Sequence, residues 1–208
     1  MKSQPVTHRH GKVIIIGGGE SLSGFDFSRL NDFNGAVIAV NNTVLHLPRA
    51  DYWITIDMSW DWKQLIRPGM RKPSCYYYAG VPNNLYNDSI FMFVHQLRRV
   101  KNFTSDKSEI CGGNSSLAAL NLALHFEPSK ILLTGVDCIG SGHWYDKNEK
   151  FYPDTEKAKL AVQNIPRLFE RTTGLLSTKN IKVLNASEIS MISCFEKCGI
   201  ERGIKWIS

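Results

Sequence analysis

The sequence has no apolar run near the roughly 18 to 20 residues that a membrane-spanning helix requires. Its opening, MKSQPVTHRHGK, is polar, with only a short VIII behind it, so neither a signal peptide nor a membrane anchor is expected and the protein is read as cytoplasmic. It also lacks any C-x-x-C pair. The five cysteines, Cys75, Cys111, Cys138, Cys194 and Cys198, are odd in number and scattered, which argues for reduced thiols and against a disulfide framework. Cys194 and Cys198 can sit one helical turn apart, but two sulfur ligands without a nearby His pair do not make a zinc site, and no metal site is expected. Neither sign of charge dominates: 25 Lys and Arg against 19 Asp and Glu leave a net charge of +6. That balance suggests an anionic partner without choosing among nucleotide phosphates, nucleic acid and an acidic or phosphorylated acceptor. What is present is a 208-residue chain with 43% hydrophobic residues, enough for one domain with a sizeable core. Homo-oligomerisation is left open.

The most informative stretch is Val13 to Leu22, VIIIGGGESL. Four β-branched residues followed by three glycines read as a buried parallel strand entering a tight turn, where a backbone without Cβ atoms lets a ligand approach closely. If Glu20 to Leu22 open a helix, its free N–H groups and positive dipole end point into the same space, as in doubly wound nucleotide-binding folds. Gly17 and Gly19 supply the first two glycines of the dinucleotide fingerprint; Leu22 stands at the third, and no G-K-S/T follows to make a P-loop. The alternative is a strand-to-helix turn with no ligand. Ala36 to Val40 predicts a second buried strand, ending at Asn41 and Asn42, where a dinucleotide enzyme would carry an acidic residue. Two amides there suit a ribose or base edge, or simply form a turn or helix cap. Tyr52 to Ile56 predicts a third strand, with Asp57 at its carboxyl end as a site candidate.

Ser74 to Tyr78 and Ser89 to His95 read as further strands, and the polar, basic segment 96 to 109 as a mobile loop that is either a solvated face or a contact for an anionic substrate. Gly112 and Gly113 then form a second glycine turn, Asn114 or Ser115 caps a helix burying Leu117, Leu120, Leu124 and Phe126, and Ile131 to Thr134 form a central strand ending at Asp137. Two glycine turns at one sheet edge can grip a nucleotide from both sides. Residues 138 to 155 carry no periodic pattern and read as a substrate or lid loop, from which His143 can serve as general base; Asp137 and Asp57 are the other titratable groups on that edge. A helix over 156 to 176, a strand at Lys182 to Leu184, a polar turn at 185 to 187 and a docked apolar tail complete the chain, and residues 1 to 11 read as a flexible arm. The expected fold class is α/β, a single doubly wound, mostly parallel Rossmann-like sheet with helices on both faces, spanning residues 12 to 208.

With these elements in place, IIIGGGESL with the following DFSRL, then AVNN, then GGNSSLAALNLAL with KILLTGVD resemble a superfamily of Rossmann-like transferases that includes bacterial sialyltransferases and 6-hydroxymethylpterin diphosphokinase-like proteins. The resemblance covers roughly residues 12 to 146. The GHW-Y-D portion and the VLNAS ending also look like uncharacterised proteins encoded by tailed phages, which would place the protein in a host cytoplasm. The resemblance implies that Gly17, Gly18, Gly19 and Ser21 line the donor phosphate, Asn41 and Asn42 the ribose or base, and Gly113, Asn114 and Ser115 the other side of the nucleotide. It also implies that His143 and Tyr145 lie in the loop that closes on donor and acceptor. The expected function is group transfer from a nucleotide-activated donor, a sugar nucleotide. The alternatives are ATP-dependent diphosphokinase action on a pterin-like alcohol, with Mg2+ held by Asp57 and Asp137, and a non-enzymatic nucleotide- or nucleic-acid-binding protein.

Overall fold

The computed structural model describes residues 5–56, 76–79, 94–140, 143–145 and 156–208. Among these residues, eight strands form one sheet: β1 (Lys12–Ile16), β2 (Ala36–Val40), β3 (Tyr52–Thr55), β4 (Tyr76–Ala79), β5 (Val94–Gln96), β8 (Lys130–Thr134), β9 (Lys182–Asn185) and β10 (Glu196–Lys197). Their order is β10-β9-β8-β1-β2-β3-β4-β5, and every adjacent pair is parallel. The chain therefore winds outward from β1 through β2 to β5, then returns to β8 on the other flank of β1. In an open α/β sheet the crevice forms where the winding reverses, outside the carboxyl ends of the two strands that flank the reversal. Here those strands are β1, followed by Gly17, and β8, followed by Gly135.

Burial on both faces explains why these strands read as unbroken apolar runs. Val13 and Ile15 join Ile38, Ile131, Leu133 and the inner side of α1 (Ser115–His125) in one core cluster. Ile14 and Ile16 join Val37, Leu132 and Ile207 of α4 (Ile200–Ile207) in the other. Helices thus cover both faces of the sheet. Two further helices, α2 (Glu156–Glu170) and α3 (Thr173–Thr178), replace the single helix expected over 156 to 176. The break is at Thr172, which is fully buried and turns its hydroxyl back to the Phe169 carbonyl at 2.7 Å, a local bond that competes with continuing the helix.

Three other expectations differ from what is observed. No α-helix follows the first glycine turn: Glu20–Leu22 and Phe27–Leu30 are single 3-10 turns, so the crossover from β1 to β2 offers no helix dipole. The 96 to 109 segment is not a free loop. β6 (Arg98–Val100) and β7 (Glu109–Cys111) pair in parallel, and Asn121 of α1 pins them, accepting from the Cys111 amide at 2.9 Å and donating to the Thr104 carbonyl at 2.7 Å. Arg98 pairs there with Glu109. Nor does the described part of the N-terminal arm float: Val6 is buried and its amide donates to Lys107 at 2.9 Å, while His10 bonds the Tyr52 hydroxyl at 2.7 Å. Burial lowers the pKa of His10, as expected for a base withdrawn from water.

Candidate functional site

At the reversal between β1 and β8 lies an open cleft, where open α/β sheets bind their ligands. Three pieces of chain from three parts of the sequence meet there. The first is the glycine turn, represented by Gly18 and Gly19; the second is the start of α1, with Asn114, Ser115 and Ser116. The third runs from Gly135 to Gly140 and continues in His143 and Tyr145. Asn41, after β2, closes one side, and Val162 and Ile165 of α2 close another. Of the residues singled out from sequence, Gly18, Gly19, Asn41, Asn114, Ser115, Asp137, His143 and Tyr145 line this space, whereas Gly17, Ser21, Asn42 and Gly113 are not among its lining residues. Gly113 faces α2, where a Cβ would meet Leu168 at 3.2 Å. Asp57 lies outside the described residues.

The glycines are needed for a reason the sequence does not show. A Cβ on Gly17 would run into the Gly135 carbonyl, one on Gly19 into the Asp137 carboxylate, and one on Gly18 into the His143 ring, each at under 3.0 Å. Close approach of protein to protein, not only of ligand to protein, therefore demands Gly here. The amides of Gly17 and Gly19 are engaged as well, donating to Thr134 at 2.8 Å and to Gly135 at 2.7 Å. Two of the amides expected to cradle a phosphate are thus used to hold the turn against β8 and the residue after it.

Asp137 is the fastening of the site. It is 3% exposed, and its carboxylate accepts from the Ser21 amide at 2.9 Å, the Ser21 hydroxyl at 2.6 Å and the Ser187 hydroxyl at 2.7 Å. A buried carboxylate is tolerable when it is multiply hydrogen-bonded; here the bonds tie the first glycine turn to the turn after β9. Next to it Cys138 holds a left-handed backbone, φ 56°, which costs a non-glycine residue energy. Burial, with the Asp137 charge adding to it, pushes the Cys138 thiol up to about 12.

His143 to Tyr145 are fastened to the glycine turn in turn. Gly19 and His143 form an antiparallel bridge, the Trp144 amide donates to Gly18 at 3.0 Å, and its indole N–H donates to Gly17 at 3.2 Å. The Tyr145 ring stacks nearly parallel on His143, with centroids 4.9 Å apart, and on His46, 4.3 Å apart. His46 follows the 3-10 turn Asn41–Leu45, so the stack joins the Asn41 side of the cleft to the His143 side. Sequence reasoning passed over His46, because a histidine four residues beyond Asn42 carries no periodic or motif signal. Asn41 itself is left-handed, φ 50°, a conformation Asn tolerates better than most residues, and its carbonyl accepts from the Trp53 indole at 2.8 Å.

The start of α1 is the remaining polar feature. Asn114 is its N-cap, accepting from the amides of Ser116 at 2.8 Å and Leu117 at 3.3 Å. That leaves Ser115, Ser116 and the positive end of an 11-residue helix dipole facing the cleft.

The α/β order, the reversal between β1 and β8 and the cleft at that reversal define a Rossmann-like fold. No family model matches the chain, and no curated protein matches it in sequence. Among solved structures, the sialyltransferase CstII from Campylobacter jejuni, determined in complex with the substrate analogue CMP-3FNeuAc, aligns with a TM-score of 0.53 over 93% of this chain and 88% of its own, at 15% identity. That likeness is one of fold.

Proposed function

We propose that the protein is a glycosyltransferase that moves a sugar from a nucleotide-activated donor to an acceptor hydroxyl in the cleft between β1 and β8. The observation that carries this reading is the convergence of Asn41, the N-terminal end of α1 and the His143 to Tyr145 segment on one cleft. They converge within a fold shared, over nearly the whole chain, with a sialyltransferase solved with a CMP-sugar analogue. In this reading the α1 N-terminus, with Ser115 and Ser116, receives the donor phosphate, and Asn41 meets the ribose or base through its amide. His143 takes the proton of the acceptor hydroxyl as its oxygen attacks the anomeric carbon. The bond between that carbon and the phosphate oxygen breaks, and the nucleotide leaves with the electron pair. Tyr145 and Asp137 act by position: Tyr145 stacks on the His143 ring, and Asp137 fixes the turn against which that ring packs.

The diphosphokinase alternative requires Asp137 to share Mg2+ with Asp57. Both oxygens of Asp137 already accept hydrogen bonds from Ser21 or Ser187, a poor match to a hard cation that wants free carboxylate oxygens. The test is release of free nucleotide from CMP-, UDP- and GDP-sugars in the presence of mixed glycoside acceptors, with and without EDTA. His143→Ala should cut turnover about 100-fold or more and leave donor affinity nearly unchanged, because a base acts in the transition state. ATP consumption that requires Mg2+, with no sugar nucleotide turned over, would favour the diphosphokinase instead.

A further inference from the structure

A second cavity opens at the far end of α1 and shares no lining residue with the cleft. The helix starts at Ser115, in the cleft, and ends at His125, in the cavity wall; at about 1.5 Å per residue, its ends lie roughly 15 Å apart. Three pieces of chain line the cavity: the segment before β7, the end of α1 with the turn after it, and the connection from α3 to β9. Leu124, Pro128 and Ile181 give it an apolar, buried wall. Lys107, Glu127 and Lys179 give it charge. Glu127 already pairs with Lys107 at 2.7 Å and with Arg9 at 3.2 Å, whereas Lys179 makes no salt bridge among the described residues and acts on Glu127 only at longer range. The three cations outweigh Glu127 and the roughly half negative charge at a helix C-terminus. The balance stays positive even with Asp106 counted, which lies outside the lining and is held by the amide and hydroxyl of Ser108.

His125 adds an unmet hydrogen-bonding group. Its Nε2 lies 2.8 Å from the Glu109 carbonyl, an acceptor, so Nε2 carries the ring proton. The contact of Nε2 with the Asn121 amide nitrogen is longer, 3.4 Å, and that nitrogen already donates to Thr104 at 2.7 Å. Nδ1 therefore holds a lone pair, and it is buried with no hydrogen-bond partner. A buried acceptor left unpaired is costly, and a donor supplied from the cavity would relieve it. We propose that this cavity is a second ligand site, and that its ligand is a small apolar monocarboxylate that also carries a hydroxyl group. The carboxylate answers Lys179 and Lys107, a single negative charge matches the small positive surplus, the apolar body covers Leu124, Pro128 and Ile181, and the hydroxyl donates to His125 Nδ1. The proposal is independent of the transferase reading.

Benzoates carry these three features on one rigid ring, and benzyl alcohol is their uncharged counterpart. The test titrates benzyl alcohol, benzoate, 3-hydroxybenzoate and 4-hydroxybenzoate into the native protein and into Lys179→Gln. Nuclear magnetic resonance reads the methyl signals of Leu124 and Ile181 and the ring nitrogens of His125. Lys179 is exposed, and unchanged far-UV circular dichroism and melting temperature establish that the variant is folded. Benzoate should move both methyl signals and bind about fivefold or more tightly than benzyl alcohol, and Lys179→Gln should lose about that factor. One of the hydroxybenzoates should bind about fivefold more tightly than benzoate and shift the Nδ1 signal. Benzoate binding no better than benzyl alcohol, affinity unchanged in Lys179→Gln, or methyl signals that stay still would overturn the proposal. So would equal affinity for all three acids with the Nδ1 signal unmoved. Because the probes include no nucleotide and the reporting groups lie outside the cleft, failure here leaves the transferase reading untouched, and failure of every sugar nucleotide to bind leaves this site standing.

Discussion

If Gly18 is glycine because the His143 ring packs on it, the cost of a side chain there must depend on that ring. A Cβ at Gly18 would stand under 3.0 Å from the imidazole, where carbon atoms prefer about 3.5 to 4.0 Å, so the ring must retreat. It cannot do so alone, because it is stacked on Tyr145 and the Trp144 amide beside it donates to the Gly18 carbonyl. Gly18→Ala should therefore loosen the whole 143 to 145 segment. Loss of one backbone hydrogen bond costs about 1 kcal/mol, and loss of one or two ring stacks about 0.5 to 1.5 kcal/mol each. A total of about 2 to 3 kcal/mol corresponds to a fall in Tm of about 5 to 10 °C for a chain of this size. The assay is urea unfolding of Gly18→Ala, His143→Ala and the double variant, followed by tryptophan fluorescence. With the imidazole gone, the added Cβ has room, so the cycle should yield a coupling energy of about 2 kcal/mol. Equal costs of Gly18→Ala in both backgrounds, within about 0.5 kcal/mol, would refute this packing.

Asp137→Asn keeps the shape but turns an acceptor into a donor that faces the Ser21 and Ser187 groups; stability should drop by about 2 to 4 kcal/mol, and a urea midpoint within error of native would show that the fastening is dispensable. His125 is buried, its Nε2 lies 2.8 Å from the Glu109 carbonyl, and burial with nearby Lys107 pushes its pKa down to about 4. Since the unfolded chain takes up that proton first, the neutral ring's contribution is fully present above about pH 6.5 and is lost as pH falls towards 4, by about 3 kcal/mol. Urea midpoints at pH 7 and 4.5 should therefore converge in His125→Gln relative to native, and an unchanged difference would contradict the assignment. Cys138 lines the cleft but its thiol is pushed up to about 12, so mass-spectrometric mapping after iodoacetamide treatment at pH 8 should find it unmodified until the protein is unfolded. Alkylation at the rate of a free thiol would contradict that.

The parts of this fold that could be read from the chain are those set by local pattern. β1, β2, β3 and β8 are buried on both faces and announce themselves as VIII, AVIAV, YWIT and ILLT. Asn114 before a run of leucines and alanines announces a capped helix. From such strands and caps the doubly wound order follows, and with it the edge where a site belongs. The parts that could not be read are contacts between residues far apart in sequence. Gly17 to Gly19 look like a phosphate turn, yet the Gly135 carbonyl, the Asp137 carboxylate and the His143 ring, all more than 110 positions away, are what exclude their side chains. Asp137 reads as a catalytic or metal-binding carboxylate at a strand end, and its partners Ser21 and Ser187 are visible only once the chain is folded. β6 and β7 are three residues each in a polar stretch, too short for a period, and Asn121 holds them from a helix whose own pattern gives no hint of it.

The account turns on whether a nucleotide-linked sugar sits in the cleft against Asn41. The most direct measurement is calorimetric titration of native, Asn41→Ala and Asn41→Gly protein with CMP-, UDP- and GDP-sugars. The glycine variant keeps the left-handed backbone that Asn41 adopts while removing the amide. The account predicts saturable one-to-one binding of at least one donor to the native protein, weakened by about 1 to 3 kcal/mol, roughly 5- to 150-fold, in both variants, since each deletes a hydrogen-bond partner of the nucleotide. No binding of any donor, or affinity undiminished in both variants, would contradict it.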